Sequence, residues 1–259
     1  IFLSGNYPKA MASLSSYIGK YPEGGRISDA EYYLAECYRG TGRPEDACDH
    51  YLKVMEYGTG SFTVQAALNY AELSYSMQKY REAFDAYASL YSGPEEYRFT
   101  ALVGLMRSAY RSRMYDEAIK YAGILAESGQ AGEDLAREAM YVDAKSLLAT
   151  SRRDEAMEVL ARLAESPSTP EGAEAAFLRI QDSYDRGAFD EVETRVYAFS
   201  DSGTGQNYWL AKAFVVLGDS FVDRDNLEQA RATFESVAEG YTPEAGDDDV
   251  LESVRMRLE

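Results

Sequence analysis

Small residues that are followed four and seven positions later by apolar residues recur seven times along the chain. They stand at Ala10, Ala47, Ala83, Ala118, Ala156, Val192 and Ala230. Successive members of this set are separated by 37, 36, 35, 38, 36 and 38 residues. A repeat of this length predicts stacked units, each of which can bury its apolar face only against its neighbours.

Each small residue belongs to an apolar stripe with helical spacing. The position three residues before it is mostly aromatic, as at Tyr80 and Tyr115. The positions four and seven residues after it are mostly apolar, as at Tyr87 and Leu90. Offsets of −3, 0, +4 and +7 lie on one face of an α-helix. The pattern therefore predicts a helix around each small residue, whose size lets a neighbouring helix approach closely.

A second helix is predicted upstream of each of these helices. In the second unit, Ala35 and Tyr38 lie twelve and nine residues before Ala47, which is again helical spacing. Short polar turns, such as SMQKY and RSRMY, separate the two helices of a pair. Breaks rich in Gly, Pro and Ser, such as YSGPE and SPSTP, separate successive pairs. We therefore expect an all-α chain built from stacked antiparallel helix pairs.

These boundaries predict one continuous solenoid over residues 1–259. The second helix of a first unit is expected at 1–20, and six units follow at about 25–57, 61–91, 95–127, 132–164, 170–200 and 206–239. A trailing helix is expected at 247–259, with Asp247, Asp248 and Asp249 in its first turn, where carboxylates suit the helix dipole. Because Ile1 falls in the last turn of a first helix, we expect the chain to be a piece of a larger protein.

The stretches AELSYSMQKYREAFDAYASLY and LGDSFVDRDNLEQARATFESVAEGYTPE resemble tetratricopeptide repeats. The positions of the last repeat that match the family pattern are Leu217, Gly218, Phe221, Leu227, Ala230, Phe234, Val237 and Pro243. Those of the second are Leu34, Ala35, Tyr38, Ala47, Tyr51 and Val54. The resemblance extends over nearly the whole chain and implies a right-handed superhelical solenoid. Asp143 and Arg179 depart from the pattern, since the family has Leu there.

The segment from Lys20 to Tyr38, which begins KYPEGG and ends DAEYYLAECY, is similar to repeats of bacterial envelope proteins. These include the tol-pal coordination proteins and the lipoproteins of outer-membrane barrel assembly. The similarity indicates a bacterial protein of the periplasm or cell envelope, with the cytoplasm as the alternative.

The charge of the chain limits its partners. With 26 Lys and Arg against 44 Asp and Glu, the net charge is −18. Binding to a phosphate backbone depends on clustered cations, so nucleic acid and anionic lipid are poor candidates. No apolar run is long enough to span a membrane. The two cysteines, Cys37 and Cys48, are too few for a disulfide scaffold, and we expect two free, packed thiols.

Residues for catalysis are sparse. His50 is the only histidine, which excludes sites with several histidine ligands, and we expect it at an exposed helix position. No Gly-rich phosphate loop is present. Carboxylate pairs such as Glu95 and Glu96 stand at predicted helix starts, where they stabilise the dipole. We therefore expect no enzymatic activity, no metal site and no cofactor.

A binding groove is the better hypothesis. In tetratricopeptide repeats, ligand contacts come from the first helix of each pair, which lines the concave face. The resemblance places Tyr32, Glu36, Arg39, Leu68, Glu72, Tyr75, Val103, Arg107, Tyr110, Arg111, Tyr141, Lys145, Phe177, Gln181, Tyr184 and Asp185 there. Among these, Arg107, Arg111 and Lys145 form a basic group in the middle that could seat a carboxylate. The alternative is that the tyrosines pack between repeats and the cations pair with nearby glutamates.

The function predicted from these features is a non-catalytic scaffold that binds a peptide or partner protein on the concave face. One alternative is a carbohydrate-binding surface protein, because stacked aromatic rings also hold sugars, although Trp209 is the only tryptophan. Another is a regulatory or interaction arm of a larger multidomain protein. A homodimer through the terminal helices is a further expectation.

Overall fold

The computed structural model describes residues 5–58, 60–243 and 248–259, and these residues contain α-helices and no β-strand. Contacts divide the chain into two compact units, Ile1–Glu127 and Ser128–Glu259. Within each unit, consecutive helices pack against each other. In the second unit, the first helices of successive pairs also contact one another. The all-α repeat architecture expected from the hydrophobic pattern is confirmed.

The described helices of the first unit are α1 (Tyr7–Lys20), α2 (Ile27–Gly40), α3 (Pro44–Tyr57), α4 (Thr63–Ser76), α5 (Tyr80–Tyr91), α6 (Glu95–Arg111) and α7 (Tyr115–Glu127). Those of the second are α8 (Glu133–Ala149), α9 (Arg153–Leu163), α10 (Pro170–Asp185), α11 (Phe189–Asp201), α12 (Asn207–Asp223), α13 (Leu227–Gly240) and α14 (Val250–Leu258).

The small residue of each repeat lies at a helix contact. All seven are buried, with at most 3% of their surface exposed. The residues four and seven positions later are buried from the second repeat onward, for example Tyr51 and Val54 at 0%. The position three residues earlier is different, because it is the first residue of each second helix. Leu227, which occupies it in the last pair, is 60% exposed and does not belong to the core.

The turns within the helix pairs share one backbone geometry. The residue five positions before each small residue has a φ between 59° and 73°, the left-handed region. The N–H of the next residue bonds to the carbonyl five residues back, as from Lys79 to Ser74 at 2.8 Å and from Arg152 to Leu147 at 2.9 Å. This pattern is the Schellman motif, which ends a helix and satisfies its last carbonyls. A non-glycine side chain in this conformation is strained.

The turn geometry predicts opposite effects at two equivalent positions. Ser151 has a φ of 62° and Gly187, in the next repeat, has a φ of 70°. We expect Ser151→Gly to raise the free energy of unfolding by about 0.5–1 kcal/mol and Gly187→Ser to lower it by about the same amount. Urea unfolding followed by Trp209 fluorescence measures both, since Trp209 lies in the same unit. Changes of the same sign for the two variants would contradict the shared geometry.

The trailing helix begins later than predicted. It starts at Val250, so Asp248 and Asp249 precede it, and Asp247 lies outside the described residues. Asp248 Oδ1 accepts a hydrogen bond from the Val250 N–H at 3.0 Å. The predicted role of these carboxylates in the first turn is therefore corrected to a role just before the helix. The helix is held by Val250 and Val254, which are buried in the core cluster of the second unit.

Both cysteine thiols are free and buried, as predicted. Burial raises the pKa of the Cys37 and Cys48 thiols, so both remain protonated at neutral pH. Among the described residues, no helix combines the length and apolar character needed to cross a lipid bilayer.

Candidate functional site

A polar network joins α2, α3 and α4. Glu36 is at its centre, because it accepts hydrogen bonds from Tyr51 Oη, from Asn69 Nδ2 at 2.8 Å and from Arg39 Nη2 at 2.8 Å. Gln65 Nε2 donates to Asn69 Oδ1 at 2.9 Å. Tyr51 and Asn69 are buried, so the Glu36 carboxylate satisfies donors that water does not reach. Burial of the Tyr51 hydroxyl is the largest cause of its raised pKa, and the neighbouring Glu36 carboxylate raises the pKa further.

Tyr32, predicted for the binding face, lies in the core of the same region. Only 9% of it is exposed, and its ring stacks on Phe62 with a centroid distance of 4.3 Å and an interplanar angle of 5°. Burial raises its pKa, and Glu36 adds to this effect. In this structure Tyr32 stabilises the packing of α2 against α3 and α4.

His50 is not at an exposed position, which corrects the sequence prediction. Its Nδ1 pairs with the Glu31 carboxylate, and its ring stacks on Tyr38 at 5.2 Å. Glu31 is 2% exposed, and Lys53 Nζ lies 3.8 Å from its second oxygen. The histidine therefore contacts a buried carboxylate, an arrangement that sequence spacing alone does not reveal because Glu31 and His50 lie on different helices.

Helices α4, α5 and α6 enclose a cleft of about 360 Å³, here named the α4–α6 cleft. It brings together four of the predicted residues, Glu72 and Tyr75 from α4 and Val103 and Arg107 from α6. Phe99 and Val103 give its wall an apolar surface, and Thr100 lies at its exposed edge. The cleft thus combines an apolar interior with charged groups at the rim, as many ligand pockets do.

Tyr87 forms part of this cleft, although the sequence pattern placed it only in the apolar stripe of α5. Gly104 allows its position, because a Cβ there would lie 2.5 Å from the Tyr87 ring. Tyr87 is 7% exposed, and its hydroxyl forms no hydrogen bond within the part of the chain that the structure describes. The pKa of Tyr87 is raised to about 12, mainly by burial and to a smaller extent by the nearby Glu72 and Tyr75. The hydroxyl is therefore a neutral donor at physiological pH.

The remaining predicted residues of α6 make aromatic contacts. Tyr110 packs against Tyr115 with a centroid distance of 6.4 Å. The Arg111 guanidinium lies 5.6 Å from the centre of the Tyr80 ring, within the range of a cation–π interaction. Tyr80 also packs edge-on against Tyr75, which places Arg111 in the aromatic surroundings of the α4–α6 cleft.

In the second unit, the predicted residues of α8 pair with a glutamate of α10. Lys145 Nζ lies 2.6 Å from Glu174 Oε1, and Tyr141 Oη donates to Glu174 Oε2 at 2.8 Å. The sequence pattern did not select Glu174, since it lies nearer the helix start than the positions selected. These bonds cross-link the first helices of successive pairs.

Phe177, Gln181 and Tyr184 line a second cleft, of about 410 Å³, with residues of α12 and α14. Its polar groups are also cross-linked. Tyr184 Oη donates to Asp223 at 2.8 Å, and the α12 residue Lys212 lies 3.3 Å from the Asp249 carboxylate, which precedes α14. Arg257 binds Asp219 through two hydrogen bonds of 2.6 and 2.7 Å. Burial, followed by Asp223, raises the pKa of Tyr184 to about 12.

Trp209 does not form an open aromatic surface. It is half-buried, with its ring 5.4 Å from that of Phe177 and 5.0 Å from that of Tyr208, and it packs on the core of the second unit. The residue on which a sugar-binding surface would depend most is thus used in packing.

Glu72 differs from four other carboxylates of the first helices. Each of these four has a cationic partner: Glu36 with Arg39, Glu174 with Lys145, Asp182 with Arg153, and Asp219 with Arg257. Glu72 occupies the same repeat position as Glu36, yet it makes no hydrogen bond or ion pair within the described residues. The α4–α6 cleft therefore holds two polar groups, Glu72 and the Tyr87 hydroxyl, that the described part of the protein leaves unbonded.

No cluster of three or more His, Cys, Asp or Glu side chains suited to a metal ion is found in the described ranges 5–58, 60–243 and 248–259.

Comparisons with known proteins agree with the helix-pair repeat. Models of the tetratricopeptide repeat family match residues 29–57, within α2 and α3, and residues 103–170, from α6 to the first residue of α10. These two segments are tetratricopeptide repeats. Such repeats generally act as non-catalytic scaffolds that bind proteins or peptides on an extended surface. No curated protein matches the sequence.

Several solved structures are similar to this chain. A tetratricopeptide repeat protein from Parabacteroides merdae ATCC 43184 is 17% identical, with 97% of this chain and 93% of that chain covered and a TM-score of 0.47. YrrB, described as a TPR protein with an unusual peptide-binding site, is 17% identical over 87% of this chain and 91% of that chain, with a TM-score of 0.41. The TPR domain of P58(IPK) is 11% identical over 99% of this chain and 62% of that chain, with a TM-score of 0.32.

Proposed function

We propose that this protein is an interaction scaffold that binds an extended peptide segment of a partner protein in the α4–α6 cleft. The observation that carries the proposal is the Tyr87 hydroxyl, which opens into the cleft and makes no hydrogen bond within the described residues. A neutral hydroxyl in such a cleft can donate to a ligand, and a peptide carbonyl is a suitable acceptor.

The cleft also has the composition of a peptide anchor site. Phe99, Val103 and the Tyr87 ring offer apolar surface to one side chain of the peptide. The rim groups Glu72 and Arg107 can fix its orientation, and the proposed contact extends along α6 to Tyr110 and Arg111. Because helices hold these groups, little ordering is needed on binding, which favours affinity.

The predicted residues of the second unit are better suited to a structural role. Lys145, Tyr141 and Tyr184 each bond to a carboxylate on the following first helix or at its end. A ligand at these positions would have to compete with bonds that already exist, whereas in the α4–α6 cleft it would meet Glu72 and the Tyr87 hydroxyl, which make no bond within the described residues.

Filling the cleft should abolish peptide binding. Thr100 is exposed at the edge of the cleft, so Thr100→Trp places an indole there without disturbing the core. We expect peptides selected from a displayed random library on the wild-type protein to bind Thr100→Trp at least about tenfold more weakly, since one buried anchor contributes 1.4 kcal/mol or more. Fluorescence anisotropy with labelled peptides measures the change.

The matched control is Ser89→Trp, an equivalent enlargement at an exposed position of α5 that does not line the cleft. It should leave the affinity within about a factor of two. Equal binding of the selected peptides to Thr100→Trp and to the wild type, or a selection that yields no peptide, would overturn the proposal.

A further inference from the structure

We propose that the side chain anchored in the α4–α6 cleft is basic, so that the partner is recognised through a lysine or arginine of an extended segment. This inference rests on the proposed function and names the chemical class of its ligand. It is carried by Glu72, by the aromatic walls of the cleft and by the position of Arg107.

Glu72 supplies the charge. Its carboxylate is exposed at the cleft and makes no ion pair within the described residues, whereas Glu36, one repeat earlier, pairs with Arg39 at 2.8 Å. The carboxylate at this repeat position thus has an ion pair in one repeat and none within the described residues in the next. A cation from a ligand would complete it by the same chemistry.

The walls of the cleft suit the rest of a long cationic side chain. Lysine and arginine carry an apolar stem that packs on apolar surface while the charged end stays at the rim. Phe99 and Val103 provide that surface, and the Tyr75 and Tyr87 rings attract a cation placed over their faces. A carboxylate ligand would instead meet the Glu72 charge.

The two rims of the cleft carry opposite charges, and this determines on which side the cation of the ligand lies. Glu72 lies on α4 and Arg107 lies on α6. We therefore place the cation of the ligand on the α4 side, with the peptide backbone between the rims. There the Tyr87 hydroxyl donates to a carbonyl of that backbone. The net charge of −18 adds a long-range attraction for a basic segment.

Reversal of one charge tests the inference. Random peptides displayed as a library are selected on the wild-type protein, with Thr100→Trp used to remove peptides that bind elsewhere. We expect the recovered peptides to share one Lys or Arg. Replacing that residue by norleucine, or replacing Glu72 by Gln, should weaken binding about fivefold, as expected for one partly exposed ion pair. Selection on Glu72→Lys should recover Asp or Glu at that position.

The outcomes separate this inference from the proposed function. Peptides that lose binding with Thr100→Trp but are insensitive to Glu72→Gln, or that carry an apolar or acidic anchor, overturn the inference and leave the cleft as the binding site. Peptides that bind Thr100→Trp as well as the wild type overturn both. Since Glu72 is exposed and unbonded in the described structure, its substitution does not threaten folding, and circular dichroism of each variant verifies this.

Discussion

Replacing Gly172 by alanine is expected to lower the free energy of unfolding of the second unit by about 3 kcal/mol. Gly172 lies in the first turn of α10, where its N–H bonds to Thr169 Oγ1 at 3.1 Å. A Cβ at this position would lie 2.1 Å from the Ser166 carbonyl oxygen and 2.9 Å from that of Leu163. Both neighbours are backbone atoms, so no side-chain rotation can relieve the clash.

The measurement is urea unfolding followed by Trp209 fluorescence, because the only tryptophan lies in the same unit and packs on its core. Gly240→Ala is the control. Gly240 is the last residue of α13 in the same unit, and a Cβ there would meet no atom within 4 Å, so this change should not lower the free energy of unfolding. An unfolding midpoint for Gly172→Ala at or above that of the wild type would contradict the close approach of α10 to Ser166.

Replacing Glu36 by alanine should lower the free energy of unfolding of the first unit by about 3 kcal/mol. The change removes the acceptor for Tyr51 Oη and one acceptor for Asn69 Nδ2, and both donors are buried. Each buried donor that loses its partner costs about 1–3 kcal/mol. Arg39 would lose its ion pair as well, but it is partly exposed and contributes less.

Glu72→Ala provides a control at the same position of the next repeat. Since Glu72 is exposed and unbonded in the described structure, we expect its loss to change stability by no more than about 0.5 kcal/mol. Amide hydrogen exchange across α2–α4 measures both variants, because the tryptophan lies in the other unit. Similar exchange rates in the two variants would show that the network around Glu36 does not stabilise the unit.

The hydrophobic pattern was sufficient to predict the helices because each repeat buries the same few positions. Ala47 and Val54 illustrate this, since both were selected by spacing alone and both are fully buried. Helix starts were harder to predict at the end of the chain. The acidic run before Val250 suits both a first turn and the residues before it, and only backbone geometry distinguishes the two.

Pairing of side chains between repeats could not be predicted from one sequence. Glu36 and Glu72 occupy the same repeat position, but Tyr51 and Asn69 surround the first and a cleft borders the second. The stripe position of Tyr87 predicted burial, but not that its hydroxyl would reach a cleft without a partner. That outcome depends on Gly104, a residue of the next helix that no periodicity connects with Tyr87.

The left-handed turns have a consequence for how the chain can vary in length. In each of the six complete pairs, three residues separate the two helices, for example between α4 and α5. The segments between pairs are not constant, as between α5 and α6 compared with α9 and α10. An added residue in a turn would displace its Schellman bonds, whereas one between pairs only lengthens an exposed connection. The helix pair, held at its turn, is therefore the segment that can be exchanged or duplicated as a module, with the joints placed between pairs.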